Sequence, residues 1–337
     1  MINKTQSEFL FKNIIVIGLG LMGGSIAKAC RKYGASEHIL GFDIDEKQSD
    51  FALENKIIDG IYDFSQLSDN DLIIICSSLL SYENILQDIK VKITSQTLII
   101  DIGSLQEFSS NVSTEILQEK SKNFIACHPI AGSEKSGVQN SDADLFLDKK
   151  TIISSSAIND KNSIDKIQHF WKKIGSKTEF IDSKKHDKIF ALVSHLPQFL
   201  AFLAKEDFQN CDDEILNRHF RLQNSNLQIW QEIFHLNRDY IEYYLQFYLK
   251  NIDKILGAFK EEEYQGLRSR RSILVSCLLN IPDIKNFQKY AGSGFKDFTA
   301  IQNTLRNPKI LAEDKESIIQ FLNNLKEKIH EFKSDNS

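Results

Sequence analysis

Across residues 12–182 short apolar runs alternate with stretches of helical periodicity: KNIIVIG, HILGFD, DLIIICS, TLIIDIG, NFIAC, TIISSS and KTEFID mark the runs. That rhythm predicts a parallel sheet joined by crossover helices. Residues 14–17, 72–75 and 98–100 are continuously apolar rather than alternating, as in strands covered on both faces, so helices are expected on both sides of the sheet. After about residue 183 the pattern changes. Only four of the fifteen glycines remain (Gly257, Gly266, Gly292, Gly294), and long amphipathic stretches replace the β-rich runs, which predicts an all-helical second half. The stretch IEYYLQFYLKNIDKILGAF carries apolar residues around much of a helix circumference, to be buried either within the chain's own core or against a second subunit. The tail AEDKESIIQFLNNLKEKIHEFKS reads as one amphipathic helix. The expected fold class is therefore α/β: a doubly wound parallel sheet over residues 1–182, then an all-helical domain over 183–337.

A length of 337 residues also suits two domains rather than one core. With 41 Lys and Arg against 46 Asp and Glu, the net charge of −5 offers no positive field for nucleic acid or an anionic membrane, which leaves small molecules as partners. The five cysteines (Cys30, Cys76, Cys127, Cys211, Cys277) are dispersed, odd in number and without a CxxC pair. They read as buried free thiols in a reducing compartment, with no metal site. The N-terminal MINKTQSEFLFKN lacks the apolar run of a secretion signal, and no later run approaches the ~20 apolar residues of a membrane helix, so the cytoplasm is expected.

Candidate chemistry begins right after the first run. GLGLMGGSIAKAC sets Gly18, Gly20 and Gly23 in GxGxxG spacing, with Leu21 and Met22 opening the helix, and Asp43 ends the next run twenty residues after Gly23. This is the fingerprint of a Rossmann-type dinucleotide site. Gly18 makes the tight turn, Gly20 lets a diphosphate approach the backbone, and Gly23 lets helix and strand pack closely, while the helix N-terminus attracts the anion. Asp43 can accept from both ribose hydroxyls and would repel a 2′-phosphate, which favours NAD over NADP.

Ligands of such sheets bind outside the carboxyl ends of the strands. Three run ends converge there: Cys76-Ser77-Ser78, Asp101-Ile102-Gly103-Ser104 and His128-Pro129. Ser77 and Asp101 are candidates for the cofactor side. His128 directly follows a run, with Pro129 fixing the backbone beyond it. An imidazole there can take a proton from an alcohol while a nicotinamide takes the hydride from the same carbon. The plainer alternative is a hydrogen-bonded loop histidine. Ser104 reads either as a bridge between substrate and cofactor or as the N-cap of the helix that follows.

GLGLMGGSIA, DIGS, HPIAGSEKSG, HDKIFALVSHLP and GSGFKDFT, in that order, resemble the prephenate dehydrogenase family, which includes arogenate-specific members. The resemblance spans residues 12–308 and implies an NAD(P)-dependent oxidative decarboxylation in tyrosine biosynthesis. By the same resemblance His128 accepts the ring hydroxyl's proton, Ser104 bonds near it, and Glu134, beside Ser133, stands at the pocket entrance. Asp187, His195, Gln198 and Lys296 would face the substrate from the helical domain, and the family implies a homodimer built on that domain. Glu134 can equally be a solvated loop carboxylate, and His195 before Leu196-Pro197 a helix kink.

The match has gaps. Gln198 stands where the family usually has a second histidine, and Ala300 where it has the arginine that pairs with a substrate carboxylate. Charge-assisted bonds of that kind are each worth ~1.5–3 kcal/mol. Gln106 replaces a common lysine, and no tryptophan follows Asn307-Pro308. Lys296, Arg306 or the Arg268, Arg270, Arg271 cluster are candidates to supply the missing charge; otherwise the substrate differs. The rival readings are a β-hydroxyacid-type dehydrogenase using Lys184, Lys185 or Lys188, and an NAD-binding relative without activity.

Overall fold

The computed structural model describes residues 9–65, 67–132, 135–156, 158–205, 226–260, 270–299 and 315–334. The chain divides into two compact units, residues 1–186 and 187–337. The division falls four residues beyond the composition shift, inside the helix that carries it.

In the first unit eight strands form one sheet in the order β3-β2-β1-β4-β5-β6-β7-β8. They are β1 (Phe11–Ile17), β2 (Ser36–Phe42), β3 (Gly60–Ile61), β4 (Leu72–Ile75), β5 (Leu98–Asp101), β6 (Phe124–Pro129), β7 (Lys150–Ser154) and β8 (Lys177–Phe180). The order reverses between β1 and β4, whose parallel register sets Ile14 against Leu72 and Ile17 against Ile75. Such a switch point opens a crevice above the strand ends. The continuous apolar runs are buried throughout, as Ile14, Ile15, Val16, Ile73, Ile74 and Ile100 show. Helices α1 (Leu21–Tyr33), α2 (Glu46–Glu54), α3 (Tyr82–Lys90), α4 (Gln106–Leu117) and α5 (Lys161–Lys173) connect the strands. Phe170 and Trp171 of α5 meet Phe11 and Phe146 edge-on, with ring centroids 6.2 and 5.8 Å apart. Edge-to-face contact of this kind suits the ring quadrupoles.

Two features depart from the sequence pattern. The sheet is parallel except between β6 and β7, which run antiparallel with His128 opposite Ile152. A parallel return needs a long crossover, usually helical; between these strands the described residues hold only a single 3-10 turn, residues 138–140. Strand β3 is two residues long, too short for any periodicity to announce.

The second unit is helical. Helix α6 (Ser183–Phe190) leads through a π-helical turn, residues 191–195, into α7 (Leu196–Leu203). Pro197 lies in the first turn of α7, where its missing N–H would otherwise close a bond to residue 193. The widened turn lies directly before the proline, the pairing at which helices characteristically bend. Then come α8 (Leu227–Leu236), α9 (Arg238–Lys260), α10 (Arg270–Leu279), α11 (Ile284–Phe287), α12 (Ser293–Thr299) and α13 (Lys315–Ser334). Helix α9 buries Ile241, Tyr244, Leu245, Tyr248, Leu249, Ile252 and Phe259, while Tyr243 is exposed and Phe247, Ile255 and Leu256 are half-buried, so its apolar residues extend beyond the face covered within this chain. Arg238 donates to the carbonyls of Phe332 and Lys333 at 2.6 and 3.1 Å, satisfying the last turn of α13. Ile318, Phe321, Leu322, Leu325 and Ile329 give α13 the single buried face expected of the tail. Among the described residues no helix is long and apolar enough to cross a membrane.

Candidate active site

The glycine turn follows β1 and opens α1. Gly18 has φ +97°, and a Cβ there would meet the Cys76 carbonyl oxygen at 2.6 Å. At Gly23 a Cβ would lie 1.9 Å from the Gly18 oxygen, whereas at Gly20 it would meet nothing within 4 Å. Two glycines thus close the turn against the sheet and the third leaves open space outside it. No side chain caps the N-terminus of α1, so the N–H groups of Leu21 and Met22 face a position suited to an anion. Asp43 directly follows β2; its carboxylate accepts from Leu19 N at 2.6 Å and from Asp45 N at 2.9 Å. Those bonds fix the carboxylate beside the turn and leave further lone pairs on both oxygens.

On the other side of the switch point lies Ser77, whose Oγ is 2.9 Å from Ser81 Oγ. Asp101, the last residue of β5, is fully buried and committed to the protein's own backbone and side chains. Its Oδ1 accepts from Cys127 N at 3.1 Å, and its Oδ2 accepts from Ser109 Oγ at 2.7 Å and Gly103 N at 3.2 Å. One carboxylate therefore ties together the residues just before His128 and Ser104. Ser104 is partly exposed, and Leu105 rather than Ser104 occupies the cap position of α4, where no side chain caps. The N-cap reading of Ser104 is corrected accordingly: the chain enters the helix one residue later.

Burial raises the Asp101 carboxyl from 3.8 to about 7, against its hydrogen bonds. The sign follows from linkage. Between about pH 4 and pH 7 the unfolded aspartate is ionised while the folded one keeps its proton, so stability falls as pH rises, by about 4 kcal/mol in all. Asp101→Asn is expected to remove that slope while weakening the acid form, because an amide nitrogen cannot accept from Gly103 or Ser109. Denaturant titrations of both proteins across that range check this; equal slopes would refute it.

His128 lies within β6, not after it, because the strand continues through Pro129 to pair with β7. Its Nδ1 is 2.9 Å from Nε2 of His186, the rings meeting edge-on at a centroid distance of 5.1 Å. Desolvation by burial, and then the neighbouring His186, holds His128 well below the usual 6.5, and burial alone takes His186 down to about 3. Both rings are neutral near pH 7. His186 belongs to the HDKIF stretch but does not emerge from sequence reasoning; its signal was a histidine beside the Asp187 already singled out.

Beyond β6, Ile130 N donates to Lys150 O at 2.7 Å. The segment then attaches to the helices after the glycine turn: Val138 N donates to Gln48 Oε1 at 2.9 Å, Asp142 N to Ser25 Oγ at 2.9 Å, and Lys28 Nζ to Ser141 O at 2.8 Å. Gln106, the departure from a lysine, is fully buried. Its Nε2 donates to Ile152 O at 3.0 Å and its Oε1 accepts from Ser154 Oγ, bonds that join α4 to β7 and that a lysine could not both make.

In the second unit, Asn237 Nδ2 donates to Asp187 O at 3.1 Å and lies 2.9 Å from His195 Nδ1. A carbonyl oxygen only accepts, so the amide nitrogen faces both partners and His195 Nδ1 is an acceptor. The neutral ring then carries its proton at Nε2. Gln198 is buried, Lys296 exposed on α12, and Arg270 lies 5.8 Å above the Phe321 ring. Lys184 lies 3.8 Å from Glu107 and Lys188 5.1 Å above Tyr243. Ser133, Glu134, Cys211, Arg268, Ala300, Arg306, Asn307 and Pro308 lie outside the described residues, as does the side chain of Arg271.

The family model of the prephenate dehydrogenase nucleotide-binding domain matches residues 26–180, and that of its dimerization domain matches residues 182–270. The chain belongs to the prephenate dehydrogenase family. It is 27% identical to the Bacillus subtilis prephenate dehydrogenase over 269 residues, 75% of this chain and 72% of that one. To the cyclohexadienyl dehydrogenase of Zymomonas mobilis it is 30% identical over 197 residues, 57% of this chain and 66% of that one. A crystal structure of A. aeolicus prephenate dehydrogenase in complex with hydroxyphenyl propionate and NAD+ matches with a TM-score of 0.67 at 26% identity, covering 74% of this chain and 91% of its own. The sheet described above is thus the nucleotide-binding part of a prephenate dehydrogenase-type fold, and the helices from α6 onward begin its dimerization part.

Proposed function

We propose that the protein oxidises and decarboxylates prephenate to 4-hydroxyphenylpyruvate with NAD, acting as a cytoplasmic homodimer. The observation that carries this reading is the neutral imidazole of His128 at the end of β6, held 2.9 Å from a second imidazole, on the sheet that carries the glycine turn. The residues present fit a dinucleotide. Space is open outside Gly20, Gly18 and Gly23 shape the turn, and the N–H groups of Leu21 and Met22 would meet the diphosphate. Asp43 would accept from the ribose hydroxyls, with Ser77 and the Asp101 loop towards the nicotinamide. Residues 1–182 would form the NAD domain and 183–337 the substrate and dimerisation domain.

When bound, the nicotinamide ring supplies the hydride acceptor. His128 takes the hydroxyl proton at Nε2, Ser104 orients the same hydroxyl, and the proton returns to the phenolate oxygen once carbon dioxide has left. The electrons of the broken carbon–carboxylate bond complete the aromatic ring, so prephenate and NAD+ give 4-hydroxyphenylpyruvate, carbon dioxide and NADH. Ser133, Glu134, Gln198 and Lys296 would contact the substrate, and His195, which carries its proton at Nε2, would donate to an acceptor on it.

Arogenate is the second reading, since the relatives include a cyclohexadienyl dehydrogenase; Ala300 removes a partner for a carboxylate that both acids carry and does not choose between them. NADH formation with prephenate and arogenate side by side decides between them. Prephenate is expected to reduce NAD with the higher kcat/KM; reduction with arogenate alone moves the assignment to the second reading, and reduction with neither defeats both.

A further inference from the structure

His186 is given no part in the reaction above, yet its ring is within hydrogen-bond distance of the base. It sits in the first turn of α6, its N–H donating to Asp182 O at 2.7 Å, and its side chain is fully buried. His128 is held as firmly: it pairs with Ile152 across β6 and β7, and the preceding Cys127 N–H donates to Asp101. Both rings are therefore carried on fixed backbone within the first unit. At 2.9 Å between Nδ1 and Nε2 a single proton lies between them, and its location decides what His128 can do. If it belongs to His186, His128 carries its own proton at Nε2 and cannot accept one there. If it belongs to His128 Nδ1, the lone pair is at Nε2.

We propose that His186 is the positioning residue of His128: its Nε2 accepts the hydrogen bond donated by His128 Nδ1, which fixes the base in the tautomer whose lone pair is at Nε2. The inference rests on the role proposed above for His128. Proton transfer from the substrate hydroxyl to Nε2 turns His128 into an imidazolium, and its Nδ1–H bond to the neutral His186 becomes charge-assisted. That strengthening exists only once the proton has moved, so it acts on turnover and leaves ground-state binding alone. A neutral acceptor also differs from a carboxylate in this place: it orients the ring without drawing a proton onto it beforehand.

The test reads the tautomer and the kinetics separately. Nitrogen-15 spectra of the full-length, histidine-labelled protein near pH 7, assigned with His128→Asn, are expected to show His128 Nδ1 protonated and Nε2 bare; the reverse tautomer overturns the proposal. His186→Leu is expected to lower kcat about 10²-fold, with KM for the substrate and Kd for NAD within about twofold. His186→Gln, whose amide oxygen can take the acceptor position, should recover most of that loss. Equal losses in both variants, or a loss carried by Kd, would also overturn it. A wild type inactive with every cyclohexadienyl acid defeats the function proposed above, and the spectrum still decides the tautomer.

Discussion

His128→Asn is expected to lower kcat by roughly 10²–10⁴-fold, the range of a general base, and to leave Kd for NAD unchanged. Asparagine is the informative replacement because its amide nitrogen falls near the position of Nδ1 and can still donate to His186. The neighbourhood is kept and the basic nitrogen at Nε2 is lost. In the wild type, burial and then His186 hold the imidazole well below its ordinary 6.5, so the neutral base persists as the solution is acidified. The profile of kcat/KM against pH should stay level through 6.5 and fall only at lower pH, a descent missing from the variant's residual activity. Steady-state NADH formation across pH, with cofactor titrations by fluorescence, checks both statements. A drop in kcat below tenfold would remove His128 from the chemistry.

Gly23→Ala is expected to cripple the cofactor site through the backbone. A Cβ at this position would stand 1.9 Å from the Gly18 carbonyl oxygen and 3.0 Å from Val16 Cγ1. No rotamer moves a Cβ, so β1 and α1 must separate, at about 1–3 kcal/mol for overpacking and more if the turn opens. Gly20→Ala is the control. Its methyl meets nothing within 4 Å, so melting should be unchanged while NAD affinity falls, because the methyl occupies the approach to the backbone. Calorimetric melting and NAD titration separate the two. If Gly23→Ala melts and binds like the wild type, the close packing of α1 on the sheet has been misassigned.

These two variants probe the part of the molecule most legible in the sequence. Glycine spacing and unbroken apolar runs are local signals, and the elements built on them, β1 with α1 and β4 with β5, stand where the pattern puts them. What was illegible depends on partners distant in sequence. The antiparallel β7 is set by how the chain returns after β6, which no periodicity records. His186 lies 58 positions from His128, and its importance comes only from the fold that brings the rings together. Asn237 and His195 meet in the same way across 42 positions. Gln106 looked like a loss against the family pattern, and its buried bonds to Ile152 and Ser154 show the position adapted to packing. The helix kink offered as an alternative for His195 meets a π-helical turn at residues 191–195, one of the usual companions of a kink, which no local residue pattern announces.

The segment after His128 is pinned at Ile130 on one side and at Val138, Ser141 and Asp142 on the other. Those moorings use main-chain groups of the segment itself, and the backbone between them depends on Gly132 and Gly137 at φ +149° and +84°. The chain that leaves the strand of His128 is thereby moored to both helices that follow the glycine turn, so a distortion of that turn would be felt along the connection to β7.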